Sequence, residues 1–338
     1  MWTRSDVPTI LDCTLRDGGY YTNWNFTEDL VEAYLAACVA TGIDVVELGY
    51  VRPEPSGSGP FGNLPAGLNR HLAAVLPRQG GPRFAVMVDG ADFLGRADTG
   101  DVVRDRLAGS PLPVEIVRIA VSFRLAEQAV ELVDGLRAAG FRVCVNLMQI
   151  GLATETELHT VLDAVRRMDG LEALYLADSL GSLLPARTRL LTRLFAEAVT
   201  APIGFHAHEN QGLALHNTLS VLDAGATWAD ATMSGMGRGA GNARMEQLLP
   251  VLRPTIDVEP LFDFVARFMI PLQQKHGWGA NVYYALAGLR EIHPSYVQHL
   301  EQDASIDVTG KMRILRELGR DGAAKFSADR LRHVLAHA

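Results

Sequence analysis

The sequence predicts an α/β fold, a (β/α)8 TIM barrel carrying a helical C-terminal appendage. Three observations lead there. Short runs rich in Val, Ile and Leu alternate with helical stretches from Thr9 to about Pro250. Many of these runs are apolar throughout, as strands covered on both faces should be. Eight β-then-α units in roughly 250 residues is also the usual size of a closed barrel. An open doubly wound sheet is the competing architecture, but no Gly-x-Gly-x-x-Gly follows the first strand.

In chain order the strands are expected near Thr9–Leu15, Val45–Val51, Phe84–Val88, Glu115–Val121, Val143–Met148, Ala173–Ala177, Gly204–His208 and Ala229–Ser234. Helical grammar separates them. Thr27 is a candidate N-cap, Glu28 and Asp29 occupy the first turn, and Leu30, Ala33, Tyr34 and Ala37 form an apolar stripe that Gly42 ends. Leu125 to Ala139, stopped by Gly140, and Glu155 to Met168, stopped near Gly170, repeat that pattern. The Pro- and Gly-rich run Arg52 to Pro65 reads as a loop, either a lid or an excursion. Beyond Pro254 the strand signal ceases. Residues 1–253 are therefore expected to form the barrel and residues 254–338 a helical region, with breaks near His276–Gly279 and Asp303–Gly310.

Composition narrows the classes. Of 338 residues 48% are hydrophobic and 21% charged, and the net charge is −8. An acidic chain without a basic run argues against a nucleic-acid partner. No apolar run is long enough for a bilayer, and Met1 to Pro8 lacks a signal-like segment. A cytoplasmic protein without a membrane partner is expected, and a homo-oligomer, a dimer being the simplest form. Cys13, Cys38 and Cys144 follow no Cys-x-x-Cys spacing and read as small buried hydrophobes.

Barrel enzymes place their chemistry at the C-terminal strand ends. Polar residues collect there: Arg16-Asp17-Gly18 after the first strand, Asp178-Ser179 after the sixth, His206-Ala207-His208 on the seventh, and Ser234 to Asn242 after the eighth. Side chains at i and i+2 of a strand share a face, so His206 and His208 can bind one metal from one side. Asp17 adds a carboxylate and Asn242 a carbonyl oxygen, leaving positions open for substrate oxygens. Mixed imidazole and oxygen ligands suit Mn²⁺ or Mg²⁺, with Zn²⁺ or Fe²⁺ as alternatives. Arg16 offers fixed donors to an enolate oxygen. Gly235, Gly237, Gly239 and Gly241 allow close backbone approach or positive φ. Glu47, Arg118, Asn146, Gln149, Asp178 and Ser179 are the remaining inward polar candidates, read as substrate-binding residues; Arg118 could hold a second carboxylate. Tyr283, Tyr284 and Tyr296 could reach the mouth from the appendage, although packing explains them as well.

Leu11 to Gly18, Phe205 to Asn210, Asp230 to Gly237 and Gly239 to Ala243 together resemble the DRE-TIM metallolyase superfamily (HMGL-like), in particular its 4-hydroxy-2-oxovalerate aldolase branch. The resemblance implies a divalent-metal-dependent carbon–carbon lyase acting on a 4-hydroxy-2-oxo acid or related small-molecule oxo acid through a pyruvate-like enolate. It implies that Asp17, His206 and His208 bind the metal, with Asn242 as a further ligand, and that Arg16 stabilises the enolate. One departure stands out. The aldolases carry a histidine three residues after the metal-binding aspartate, and this chain has Tyr20. Tyr20 is therefore the expected proton relay, since a positioned phenol can donate and accept. The competing readings are an acyl-CoA-dependent condensing enzyme, an Fe²⁺ oxygenase using the same ligand set, and a non-catalytic binding barrel.

Overall fold

A computed structural model describes residues 7–76, 81–320 and 322–337. Of the N-terminal stretch read for a targeting signal, residues 1–6 lie outside the described residues. Eight parallel strands close into a barrel in sequence order: β1 (Thr9–Asp12), β2 (Val45–Tyr50), β3 (Arg83–Asp89), β4 (Val114–Ser122), β5 (Arg142–Met148), β6 (Ala173–Asp178), β7 (Ile203–Ala207) and β8 (Trp228–Ala231). Closure comes from β1 against β8, with Leu11 opposite Asp230. Helices such as Glu28–Ala40, Ala126–Ala138 and Glu155–Val165 cover the outside. Thr27 holds the N-cap position of the first without a side-chain cap bond, whereas Thr154 and Glu157 form a full capping box on the third. No helix among the described residues is long and apolar enough to cross a membrane.

Three strand ends differ from the sequence expectation, each for a local reason. β1 stops at Asp12, whose Oδ1 accepts the Thr14 N–H at 2.8 Å and turns the chain into a helical turn, Thr14–Asp17. Arg16 and Asp17 thus stand on that turn rather than on the strand. β7 stops at Ala207, and His208 continues in an isolated antiparallel bridge with Asn242. β8 stops at Ala231, because Met233–Gly235 turns with Ser234 at φ 55°.

Alternation along the strands fills the lumen in layers. Leu11, Val45, Ala85, Ile116, Cys144, Tyr175 and Trp228 plug the lower end with apolar packing. Two residues further along the inward rows come Glu47, Arg118 and Asp230, all fully or nearly fully buried. The cysteines are free and buried. The loop Arg52 to Pro65 folds back on itself, with Asn63 Nδ2 donating to the Ser58 carbonyl at 2.6 Å.

After Leu252 the chain is helical, with helices including Val282–Leu289, Pro294–Gln302, Val308–Arg320 and Ala328–His337. These build a core of their own around Tyr284, Tyr296, Leu300, Leu315 and Leu318. Tyr284 and Tyr296 are completely buried in it, so they pack and do not reach the mouth.

Candidate active site at the barrel mouth

Asp17, His206 and His208 converge, each offering a ligand atom within 4.8 Å of the others. They come from the turn after β1, from β7 and from the bridge after β7. His206 is held from both sides: its Nδ1 lies 2.9 Å from Asp230 Oδ2 and its Nε2 lies 3.5 Å from Asp17 Oδ2. Asn242 Nδ2 donates to the same Asp17 oxygen, while Asn242 Oδ1 is buried without a partner. Gly237 makes this possible, because a Cβ there would meet Asn242 Nδ2 at 2.6 Å. Gly241 has φ +82°, and a Cβ would fall 2.1 Å from the Gly235 carbonyl oxygen. The glycine-rich loop is thus packed against itself and the ligand cluster.

Beneath the cluster runs a closed ring of buried charges. Arg16 Nη1 contacts Asp17 at 2.7 Å and Arg16 Nε contacts Glu47 at 2.7 Å. Glu47 meets Arg118 at 3.1 Å, and Arg118 meets Asp230 at 2.6 Å. Asp230 then returns the ring to His206. Arg118 also stacks over the Tyr175 ring, 4.3 Å from Cζ to the centroid. The ring carries three carboxylates against two guanidiniums, so with His206 neutral it is net negative, which favours a cation at the mouth.

The titration directions agree with that charge pattern. Burial alone would raise Asp17, but the Arg16 charge and the His206 contacts outweigh it and hold the carboxyl well below its usual range. Burial would likewise raise Asp230, and Arg118 and His206 bring it down. For His206, burial pulls downward while the contacts to Asp17 and Asp230 win and raise it. Burial, then the neighbouring His206 charge, push His208 down to about 3, so that ring is neutral and its buried Nδ1 has no partner.

These features fit a divalent cation. The cluster offers an ionised carboxylate, two imidazoles and an orphaned amide oxygen, the donor set expected of a Lewis-acid site with open positions. A second grouping, Cys13 with His206 and Asp230, is less suited to an ion. Burial raises the Cys13 thiol well above its ordinary range, and Asp230 is already engaged by Arg118.

Above the cluster an inner cavity is lined by Arg16, Asp17, Tyr20, Asn146, Ser179, His206, His208 and Arg238, among others. It opens into a larger vestibule whose far wall includes His293, Ala324 and Lys325 from the appendage. Tyr20 lines both and is 37% exposed. Its hydroxyl lies 3.1 Å from that of Tyr50. Asn146 Oδ1 is buried without a partner, and Ser179 Oγ accepts the Gln149 N–H at 2.9 Å, leaving its own hydrogen for a ligand. Gln149, at φ 60°, ties the mouth to the appendage through its bond to the Ala324 carbonyl.

Three expected substrate contacts are placed elsewhere. Glu47 and Arg118 are completely buried in the ring and line neither cavity. Arg118 already spends its charge on Glu47 and Asp230, so it has none for a second substrate carboxylate. Asp178 points away from the mouth wall and accepts the Ser182 and Leu183 N–H groups; burial raises it to about 7 despite those donors. The loop Arg52 to Pro65 also lines neither mouth cavity, which excludes a lid role in this conformation. Sequence reading passed over Tyr50, Asp230 and Arg238 as individual site residues. The inward parity of Asp230, two residues from Trp228 and two from Thr232, was the available signal.

A closed barrel with a carboxylate and two histidines at its C-terminal mouth, beside a buried arginine, has the architecture of a barrel enzyme with a Lewis-acid metal site. Residues 103–264 match the HMGL-like family. A 4-hydroxy-2-oxovalerate aldolase of Burkholderia pseudomallei (strain 1710b) is 31% identical over 307 residues, covering 87% of this chain and 84% of the relative. An oxaloacetate decarboxylase of Mycobacterium tuberculosis is 26% identical over 94% of this chain and 93% of the relative. Among solved structures, the N-terminal domain of a "putative aldolase" from Bacteroides vulgatus superposes with a TM-score of 0.79 at 32% identity, covering 90% of this chain and 99% of that one. The chain belongs to the HMGL-like family and is a lyase. Neither the acyl-CoA condensing reading nor the non-catalytic one is favoured by these relatives.

Proposed function

We propose that the protein cleaves a 4-hydroxy-2-oxo acid into a pyruvate-like 2-oxo acid and an aldehyde. The observation that carries this is the convergence of Asp17, His206 and His208 beside Arg16 in the lining of the inner cavity. Asp17, His206 and His208 would hold the divalent ion, with Asn242 Oδ1 as a further donor once its amide turns. We take Mn²⁺ or Mg²⁺ as the ion; the mixed imidazole and oxygen set, free of thiolate, accommodates either and also Zn²⁺. When bound, the ion supplies positive charge that draws electrons toward the 2-oxo group.

The residues of the chain account for the remaining steps. Glu47 and Asp17 fix Arg16 at Nε and Nη1, so its remaining donors can meet the developing enolate oxygen without reorganisation. The proton on the substrate 4-hydroxyl passes to the phenolic oxygen of Tyr20 as the phenolic proton leaves to vestibule water. The C3–C4 bond then breaks, O4 becomes the aldehyde carbonyl, and the electron pair enters the enolate. A proton returned to C3 completes the 2-oxo acid. Asn146 and Ser179 supply polar contacts to the substrate in the inner cavity.

The test is cleavage of a 4-hydroxy-2-oxo acid with Mn²⁺, combined with deuterium exchange at the methyl group of pyruvate. Both should occur, and chelation should abolish both. Absence of exchange and cleavage alike would remove the enolate reading.

A second reading is decarboxylation of a 3-carboxy-2-oxo acid through the same enolate. It is favoured by the inner cavity offering, outside the ligand set and among the described residues, hydroxyl groups but no histidine, carboxylate or lysine for proton transfer. Loss of CO₂ from C3 requires no hydroxyl deprotonation. Comparing CO₂ release from oxaloacetate with aldehyde release from a hydroxy-oxo acid decides between them. For assembly we infer a homodimer, supported by the exposed apolar Val282, Leu289 and Val308 of the appendage, and light scattering tests it.

A further inference from the structure

Arg238 occupies the junction of the two cavities and lines both. Its Cζ lies 4.9 Å from the centroid of the Tyr20 ring, so the guanidinium rests on the proposed relay residue. Among the described residues it makes no salt bridge, whereas Arg16 and Arg118 each make two. Its Nε is buried without any hydrogen-bond partner. A half-buried guanidinium with a buried, unpartnered Nε and no ionic partner is poised to be completed by a ligand.

The surrounding wall has the same sign. Lys325 lines the vestibule and has no ionic partner among the described residues. His293 stands there too, and its Nδ1 accepts the Ser295 N–H at 3.3 Å, which places the ring hydrogen on Nε2 as a donor. Burial, then the Arg238 charge, press His293 down to about 3, so it is neutral and its free nitrogen donates rather than accepts. Arg124, the remaining cation of the vestibule, is spent on Glu157 at 2.9 Å. Among the described residues the one carboxylate of that wall is Asp89, which caps the turn Gly90–Phe93 by accepting the Ala91 N–H at 3.0 Å and feels the Arg238 charge without a salt bridge to it.

We propose that Arg238, with Lys325 and His293, forms an oxyanion-binding subsite that selects substrates whose aldehyde-derived half carries a carboxylate or a phosphate. The inference rests on the enolate reading only for the direction of the substrate: the 2-oxo acid end lies at the inner floor and the distal end in the vestibule. The anion held there is not a leaving carboxylate, since a charge clamp would oppose loss of CO₂. The cation–π contact with Tyr20 makes the clamp and the relay one packed unit, so an anionic tail also steadies the relay phenol.

The test is equilibrium binding to the Mn²⁺-loaded protein by calorimetry, using a 2-oxo diacid, a length-matched 2-oxo monoacid and a 2-oxo acid ending in phosphate. A charge-assisted contact is worth about 10- to 100-fold. The wild type should prefer the anionic tails over the neutral one by that factor, and the tail that gains more identifies the oxyanion. Arg238→Gln should collapse the preference to near unity, Arg238→Lys should restore part of it, and Lys325→Gln should reduce it by less. Equal binding of all three ligands by the wild type, or a preference that survives in Arg238→Gln combined with Lys325→Gln, overturns the subsite. Pyruvate exchange separates the two levels. Exchange without tail preference sinks the subsite and leaves the enolate reading; tail preference without exchange does the reverse.

Discussion

Oδ2 of Asp230 lies 2.9 Å from Nδ1 of His206, and this contact decides which edge of the imidazole reaches the barrel mouth. The same oxygen lies 2.6 Å from Arg118 Nη2. One buried carboxylate therefore orients a metal-ligand candidate and closes the charged ring. Outer carboxylates of this kind fix the ring orientation and raise ligand basicity.

Asp230→Asn keeps the shape of the side chain and removes its charge. Affinity for Mn²⁺ should fall about 10- to 100-fold by calorimetric titration. Denaturant unfolding should show a loss of about 3–5 kcal/mol, since Arg118 then faces Glu47 alone in the interior. Unchanged metal affinity would take Asp230 out of the site.

The combined replacement Asp17→Ala, His206→Ala and His208→Ala should reduce bound Mn²⁺ to background in equilibrium dialysis. Retention of metal at the wild-type level would mean that the ion sits elsewhere, with the Cys13 grouping the next place to look.

Tyr20→Phe removes one hydroxyl from the mouth and leaves the ligand cluster intact. General acid–base catalysis is worth ~10²–10⁴-fold, so cleavage of a 4-hydroxy-2-oxo acid should drop within that range. Deuterium exchange of pyruvate should fall much less, because in the proposed mechanism Arg16 and the metal carry enolisation. Near-wild-type cleavage would pass the relay to Tyr50, 3.1 Å away.

Asp12 gives a pH-dependent prediction for stability. Burial raises its carboxyl to about 6 from an ordinary 3.8, against the lowering contacts of Thr14 and Tyr34. The folded state thus binds the proton more tightly than the unfolded state, and stability falls as pH rises from about 4 to about 6. At about 1.36 kcal/mol per pH unit, the loss is of order 3 kcal/mol. Asp12→Asn keeps an oxygen acceptor for the Thr14 N–H and the Tyr34 hydroxyl and cannot ionise. Urea unfolding at pH 4.5 and pH 7 should show the variant gaining on the wild type at the higher pH. A pH-independent difference would mean that Asp12 titrates normally.

The sequence by itself determined the barrel, because strand and helix periodicities are local properties. It also brought out Asp17, His206, His208 and Asn242, since strand-end position and i, i+2 spacing can be read along a line. It could not separate cavity-lining residues from ring residues. Glu47, Arg118 and Asn146 all face inward, yet only Asn146 stands high enough to line the mouth, and that height follows from the stagger of neighbouring strands. Nor could it show that Asp12 ends β1 and lifts Arg16 and Asp17 onto a turn, a matter of one side-chain hydrogen bond overriding strand propensity. The closure of the charged ring, and the vestibule that Arg238, His293 and Lys325 line together, join residues far apart in the chain. Only tertiary structure decides such contacts, because they depend on how barrel and appendage pack and not on any local pattern.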